Sequence, residues 1–431
     1  MSILFVYLIN ILILVGLVWW MYQQRWVKEL KPYFWPALGT KMAVAIGFAV
    51  YRYTYGAPSD THVFHSAGLK LLEYAQQSSK GYLDLLLYNH FESEVLRASL
   101  PFTQYPDFTN SFFFIKLLSV FNLVTAGQYH LNNLYLSLFS FGGSAYLVAV
   151  LSRLFPKYKV AAVLAFLFFP SVVLWSTGVM KETVMFGSMC WLVAIALVLS
   201  HRHRLTVWGW LLLPLQLYLF IKIKLFYAAL LLPLLLGYVL VQHLKKYVKA
   251  LVTLKAQLLL LLALAGIVVM VVMWQRSVFN PDFILWNLES SYTSLLQRSK
   301  NAPHIHLNDL EPTIQSMLLN YPEAALSALY RPFIGESRKV LYLLSGLENL
   351  LLLILTGTAI ASAFRRSASV KVELLHVVLL VFILAMAGVV GLSTPNFGTL
   401  SRYRIVFLPF LVYLLLQNVY AKRLLQRLRL L

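Results

Sequence analysis

The sequence predicts an all-α polytopic membrane protein of about eleven transmembrane helices, with interfacial helices on its outer face. Three observations predict it. Of 431 residues, 60% are hydrophobic and only 12% charged, against about 45–50% and 25% in soluble globular chains. So little charge cannot cover a soluble surface of this size, and such aromatic, aliphatic content excludes disorder. Long apolar runs recur along the whole chain. The basic residues are also sorted by segment. Residues 22–41, 151–159, 201–204, 244–255, 363–371 and 421–431 hold 20 Lys and Arg against the single acid Glu29, and the remainder holds 16 against 15.

The runs place spans near 2–21, 37–56, 129–152, 159–177, 183–200, 205–221, 225–243, 256–275, 340–362, 372–392 and 403–420. Lipid offers no partner to an open backbone, so each run is expected to be helical. No positive residue precedes the first run and no small-residue cleavage site follows it, so it is expected to stay as a helix. The six basic segments then all fall on one side, the cytoplasmic one by the positive-inside rule. The net charge of +20 is therefore a topology signal and not a nucleic-acid surface. The N-terminus lies outside and the C-terminus inside.

Four stretches follow. Residues 1–36 form an N-terminal helix and basic cytoplasmic linker. Residues 37–275 form a transmembrane core carrying the outer loop 57–128. Residues 276–339 are a second outer loop, and 340–431 the last helices and a basic tail. The apolar segment 111–125 is expected to lie in the outer interface, because a crossing there would put Arg153, Lys157 and Lys159 outside. Residues 82–97 are expected to form another interfacial helix. Both long loops are outside, so the chemistry is expected there. No cytoplasmic loop is long enough for a nucleotide domain, and no Walker or dinucleotide glycine pattern occurs. Cys190 is the only cysteine, which excludes an intrachain disulfide and a cysteine-based metal site.

Asp60 directly follows a span. A carboxylate at the membrane–water boundary can take a proton from an acceptor hydroxyl or hold a divalent ion; as a plain alternative it starts a helix. Lys181 and Glu182 are adjacent in a short outer turn, where Lys181 suits a phosphate. Glu182 could join Asp60 around Mg or Mn, or simply favour a helix N-terminus. Lys222 and Lys224 occupy another short outer turn, and Arg402 and Arg404 flank Tyr403 before the last span. Cations kept outside, against the charge rule, suit a lipid phosphate or snorkel as anchors. Glu348 falls within a span, where an acid is costly and marks a functional candidate or a helix–helix pair. His304, His306, Asp309 and Glu311 offer only a weak zinc pattern.

Several of these pieces together resemble membrane glycosyltransferases of the GT-C class, the broad group of protein O-mannosyltransferases and lipid A aminoarabinose transferases. Asp60 to Ala67 resembles that group's D-x-x-x-Y-H-x-x-A motif, with Phe64 in place of tyrosine and His65 and Ala67 matching. Tyr105-Pro106, the apolar helix 111–125 and Leu131-Asn132-Asn133 resemble its Y-P-P-G, interfacial helix and R-L-L-N series, with Asp107 and Phe108 where Pro and Gly are usual. The Pro170–Glu182 stretch resembles the second acidic motif, with Glu for Asp. Gly398 to Pro409 resembles the R-Y-x-x-P segment. The likeness covers roughly residues 40–220 and 395–415.

The resemblance implies an inverting transfer of sugar from a polyprenyl-phosphate donor to a glycan, lipid or protein acceptor on the extracytoplasmic face. Asp60 and Glu182 would be catalytic. Lys181, Lys222, Lys224, Arg402 and Arg404 would meet the donor phosphate, and His65, Tyr105 and Glu348 would support the site. A bacterial cytoplasmic membrane is the expected location. Two other readings stay open: an O-antigen ligase or polymerase using lipid diphosphate glycans, with Arg298, Arg331, His304 and His306 in the late loop, and a non-catalytic envelope scaffold.

Overall fold

The computed structural model describes residues 2–54, 59–103, 109–201, 203–274, 280–299, 303–364 and 372–428. Among these it is helical, with no strand beyond one isolated bridge between His304 and Asn396. Eight helices are long and apolar enough to cross a membrane, and a bent pair makes a ninth. The chain is a multi-pass helical membrane protein. It divides into two compact units, Met1–Val150 with Ser176–Leu192 and Trp210–Leu225, and Leu151–Trp175 with Val193–Gly209 and Phe226–Leu431.

In the first unit, α1 (Ile3–Tyr22) starts at Ser2, whose side chain accepts from Phe5 N. It is apolar and exposed along almost its whole length, a surface that only lipid tolerates. Asn10 is its exception. Its Nδ2 donates to Val124 O at 3.2 Å and Tyr135 Oη donates to its Oδ1 at 2.9 Å, so the one buried amide of α1 is satisfied by its neighbours.

α2 (Lys31–Thr54) follows, and then the first outer segment, which folds into four helices: α3 (Asp60–Gln77), α4 (Ser79–Tyr88), α5 (Glu94–Ser99) and α6 (Asn110–Thr125). The helix expected at 111–125 is α6. The single helix expected over 82–97 is instead interrupted: Asn89 turns left-handed (φ 56°) and closes α4, as asparagine at a helix C-terminus readily does. α7 (Tyr129–Leu154) and the first part of α10 (Lys181–Ser200) are buried through most of their length. They meet at glycines, since a Cβ on Gly143 would overlap Gly187 O. α11 (Val207–Ile223) and Lys224 complete the unit.

The second unit contains the clearest departure from expectation. Residues 159–177 do not form one continuous helix. They fold as α8 (Lys159–Val163), a π-helical stretch Leu164–Phe168, and α9 (Pro170–Trp175). Pro170 has no N–H and cannot continue the preceding helix. The last predicted span, 403–420, is likewise broken. α18 (Phe397–Tyr403) runs through Arg404–Val406 and bends by 66° into α19 (Leu408–Leu415), followed by α20 (Val419–Arg427). α12 (Leu225–Leu244), α13 (Leu254–Trp274), α16 (Val340–Ala363) and α17 (Leu374–Ser393) fall where apolar runs predicted them. The second outer segment folds as α14 (Pro281–Arg298) and α15 (Ile314–Tyr330).

Candidate functional site

The first unit gathers the N-terminal ends of α3, α6 and α10 with the α11–α12 joint. The turn before α10 is held from three sides. Gly178 has φ +89° and donates its N–H to Ser137 Oγ at 3.0 Å, and Val179 N donates to Asn133 Oδ1 at 3.2 Å. A Cβ on Gly178 would overlap that same Asn133 oxygen, so only glycine fits. Asn133 is itself fixed, donating Nδ2 to Ala45 O at 2.8 Å. From α2, buried Lys41 donates to Ser176 O at 2.7 Å, to Ser176 Oγ and to Ser140 Oγ at 3.2 Å.

This clamp aims Lys181 and Glu182. Lys181 Nζ donates to Asn110 Oδ1 at 3.2 Å and Ser111 Oγ at 2.9 Å, and stands 5.6 Å from the Phe64 ring centroid. Asn110 in turn donates Nδ2 to Ile223 O at 2.9 Å, tying α6 to the α11–α12 joint. Glu182 is 2% exposed, and its Oε1 lies 3.8 Å from Lys224 Nζ. The sequence-predicted residues Glu182 and Lys224 therefore meet, and Asn110 links Lys181 to the same joint. Lys222 is exposed on the same joint and lies within electrostatic reach of Lys116. Lys116 is buried on α6 and donates to Leu86 O at 2.8 Å and Asn89 Oδ1 at 2.7 Å, at the end of α4. Burial, with Lys222 adding to it, brings its amine down to about 8.

Asp60 opens α3 as an exposed first-turn carboxylate, a position the helix dipole favours for negative charge. Ser59 precedes it, but its hydroxyl engages Thr61 Oγ1 at 2.9 Å and His62 Nδ1 at 3.1 Å instead of capping the backbone. One turn on, His65 packs edge-on against Tyr129, with ring centroids 5.2 Å apart. Burial, reinforced by the imidazoles of His62 and His130, lowers it to about 4. His65 is therefore neutral near pH 7. Tyr105 lies outside the described residues.

No family model, curated protein or solved structure matches this chain.

The remaining predicted residues belong to the second unit. Arg404 is 2% exposed and donates to Asn349 Oδ1 at 2.8 Å, Leu329 O at 2.6 Å and Arg331 O at 3.2 Å. These contacts anchor the kink between α18 and α19. Arg402 stands over the Tyr403 ring at 5.2 Å. Glu348 accepts from Ser171 N at 3.0 Å, covering a first-turn donor of α9 that Pro170 leaves at the break. Arg331 donates to Glu336, which takes up the guanidinium that a ligase reading would use. His304 and His306 lie with ring centroids 4.2 Å apart.

Among the described residues no three His, Cys, Asp or Glu side chains gather as a metal cluster. Glu182 faces the Lys224 ammonium, and the Lys181 ammonium is held by the amide of Asn110 and the hydroxyl of Ser111. Two ammonium groups so held suit an anion.

Sequence reasoning named Asn133 only within the Leu131-Asn132-Asn133 motif and did not find Lys41, Asn110, Ser111 or Ser137 as site residues. A signal existed for some of them. Asn133, Ser137, Ser140 and Ser144 recur every three or four residues in an apolar run, which sets one polar stripe along α7.

Proposed function

We propose that the protein is an integral membrane glycosyltransferase that moves a sugar from a polyprenyl-phosphate donor to an acceptor hydroxyl on the extracytoplasmic face of a bacterial cytoplasmic membrane. The observation that carries this reading is the Glu182–Lys224 pair, with Lys181 tied to the same joint through Asn110, among helix ends that the charge pattern assigns to the outer side.

In this mechanism the Asp60 carboxylate takes the proton of the acceptor hydroxyl. The hydroxyl oxygen attacks the anomeric carbon from the face opposite the phosphate, and configuration inverts. The bond between anomeric carbon and phosphate oxygen breaks, and its electron pair leaves with the polyprenyl phosphate. Lys181 and Lys224 stabilise that anion, in a site where fixed charges need no reorganisation. Glu182 orients Lys224. Lys222 draws the donor headgroup to the surface, and neutral His65 packs the base-bearing helix.

Eleven crossings suit this arrangement, with α8–α9, α11 and the bent α18–α19 pair completing the eight long helices. The Glu182–Lys224 pair supports α11 as a crossing. α10 leaves the site for about 30 Å, and only a returning α11 brings Lys224 back to its start. This keeps the basic segments on one side, with the N-terminus outside and the C-terminus in the cytoplasm.

Native mass spectrometry of the protein in mild detergent, with Asp60→Asn and Lys181→Met beside the native chain, tests the reading. A co-purifying polyprenyl monophosphate, bare or with one sugar, is expected. It should persist in Asp60→Asn, which retains donor and loses transfer, and fall in Lys181→Met. A polyprenyl diphosphate glycan would replace this reading with the ligase or polymerase, and phospholipid alone would favour a scaffold.

A further inference from the structure

The second outer segment is expected, from charge alone, to lie in water above the membrane. Its contacts are with the middles of two spanning helices. Tyr321 Oη donates to Leu384 O at 2.9 Å. Leu384 is midway along α17, about 14 Å from either end at 1.5 Å per residue. The backbones of α15 and α17 touch nearer the end of α17, where a Cβ on Gly391 would overlap Ala324 O; one on Gly388 would overlap the Tyr321 ring, which reaches down toward the middle. On α16, Tyr330 Oη and Thr356 Oγ1 are 3.1 Å apart, and Asn349 Nδ2 donates to Pro332 O at 2.8 Å. Thr356 follows Val340, the first residue of α16, by about 24 Å of helix. A segment resting above the bilayer would touch only the outer ends of these helices.

The irregular chain leading into α15 is built for the same place. Asn308 N donates to Asn320 Oδ1 at 2.9 Å, and Asn320 Nδ2 returns a bond to Asn308 O at 3.0 Å. Asn320 is buried. One side chain thus satisfies both polar groups of a non-helical residue, as irregular backbone away from water requires.

We propose that α15 is a re-entrant helix within the bilayer, and that lipid acyl chains cover its outward face. Leu318, Leu319 and Leu326 are 67%, 74% and 59% exposed; Glu323, exposed on the same face, lies next to Ala324 where α15 meets the end of α17, within reach of the headgroup level. The three leucines continue the lipid-facing side of α17, where Leu380 and Leu384 are 48% and 42% exposed. The occupant is the bilayer's own hydrocarbon. The inference rests on the multi-pass fold and is independent of the transferase reading.

Single spin labels at L318C, L319C and L384C, each in a Cys190→Ala chain in lipid nanodiscs, test it. The readout is relaxation by oxygen against relaxation by a water-soluble nickel chelate. Labels at 318 and 319 are expected to favour oxygen, with a depth parameter of the same sign as at 384. Oxygen at 384 with nickel at both 318 and 319 overturns the embedded α15. Nickel at all three overturns it through its premise, the crossing by α17. All three side chains are exposed, and co-elution with the native chain confirms that the labelled proteins fold.

Discussion

The Glu182–Lys224 pair can be weighed in advance. Two unit charges near 3.8 Å attract by about 4 kcal/mol at an effective dielectric of about 20. Desolvation opposes this, so the net worth of the pair is smaller, but removing one partner leaves the other buried charge without that compensation. Breaking a buried pair typically costs about 3–5 kcal/mol. Lys224→Met should therefore destabilise the protein by about 3 kcal/mol, and Glu182→Gln by a similar amount. The double variant should lose less than their sum, with a coupling of about 2 kcal/mol. Unfolding titrations in detergent for the native chain, both single variants and the double variant give this coupling directly. Losses that add within about 0.5 kcal/mol would refute the idea that the carboxylate orients the lysine.

Three further outcomes are expected. Gly178→Ala should cost about 1–3 kcal/mol, because its φ of +89° and the Asn133 oxygen both exclude a Cβ; an unchanged unfolding midpoint would count against the clamped turn. Burial lowers His65 from 6.5 to about 4, so between those values the unfolded chain binds more protons and stability rises with pH. Up to about 3 kcal/mol is present above pH 6.5 and lost as pH falls through 4, a dependence that His65→Gln should flatten in melting curves taken across that window. Asn10→Leu removes the polar clasp of α1 and should cost about 1–2 kcal/mol, measured as a lower midpoint and as faster proteolysis at the α1–α2 linker.

Much of the fold was legible because lipid leaves few options. Runs such as 225–243 and 340–362 carry enough apolar length to span, and the structure places α12 and α16 there. The breaks were harder to see. Residues 159–177 look continuous in hydropathy, and the interruption depends on Pro170 together with Glu348, whose carboxylate accepts from Ser171 N across 177 positions of sequence. Within the site, Lys181, Glu182 and Lys224 could be singled out because charge at an outer helix end is conspicuous. Arg404 was equally conspicuous, yet its three acceptors come from residues 329, 331 and 349, a set that only the folded chain assembles. Lys41 was misleading for the same reason. It was counted with the cytoplasmic charges, whereas its amine is buried against Ser140 and Ser176.

That lysine has a consequence for biogenesis. When α2 leaves the ribosome, the segments that will hold Lys41 are about 100 and 135 residues behind it. At about 5–20 residues per second, the nascent helix waits some seconds carrying a charge that costs about 2.5–3.5 kcal/mol at the centre of a membrane helix. α2 is thus a reluctant inserter on its own. Its Lys41 bonds can form only once α7 and the Ser176 turn have emerged, so the clamp that shapes the candidate site is completed well after α2 is made.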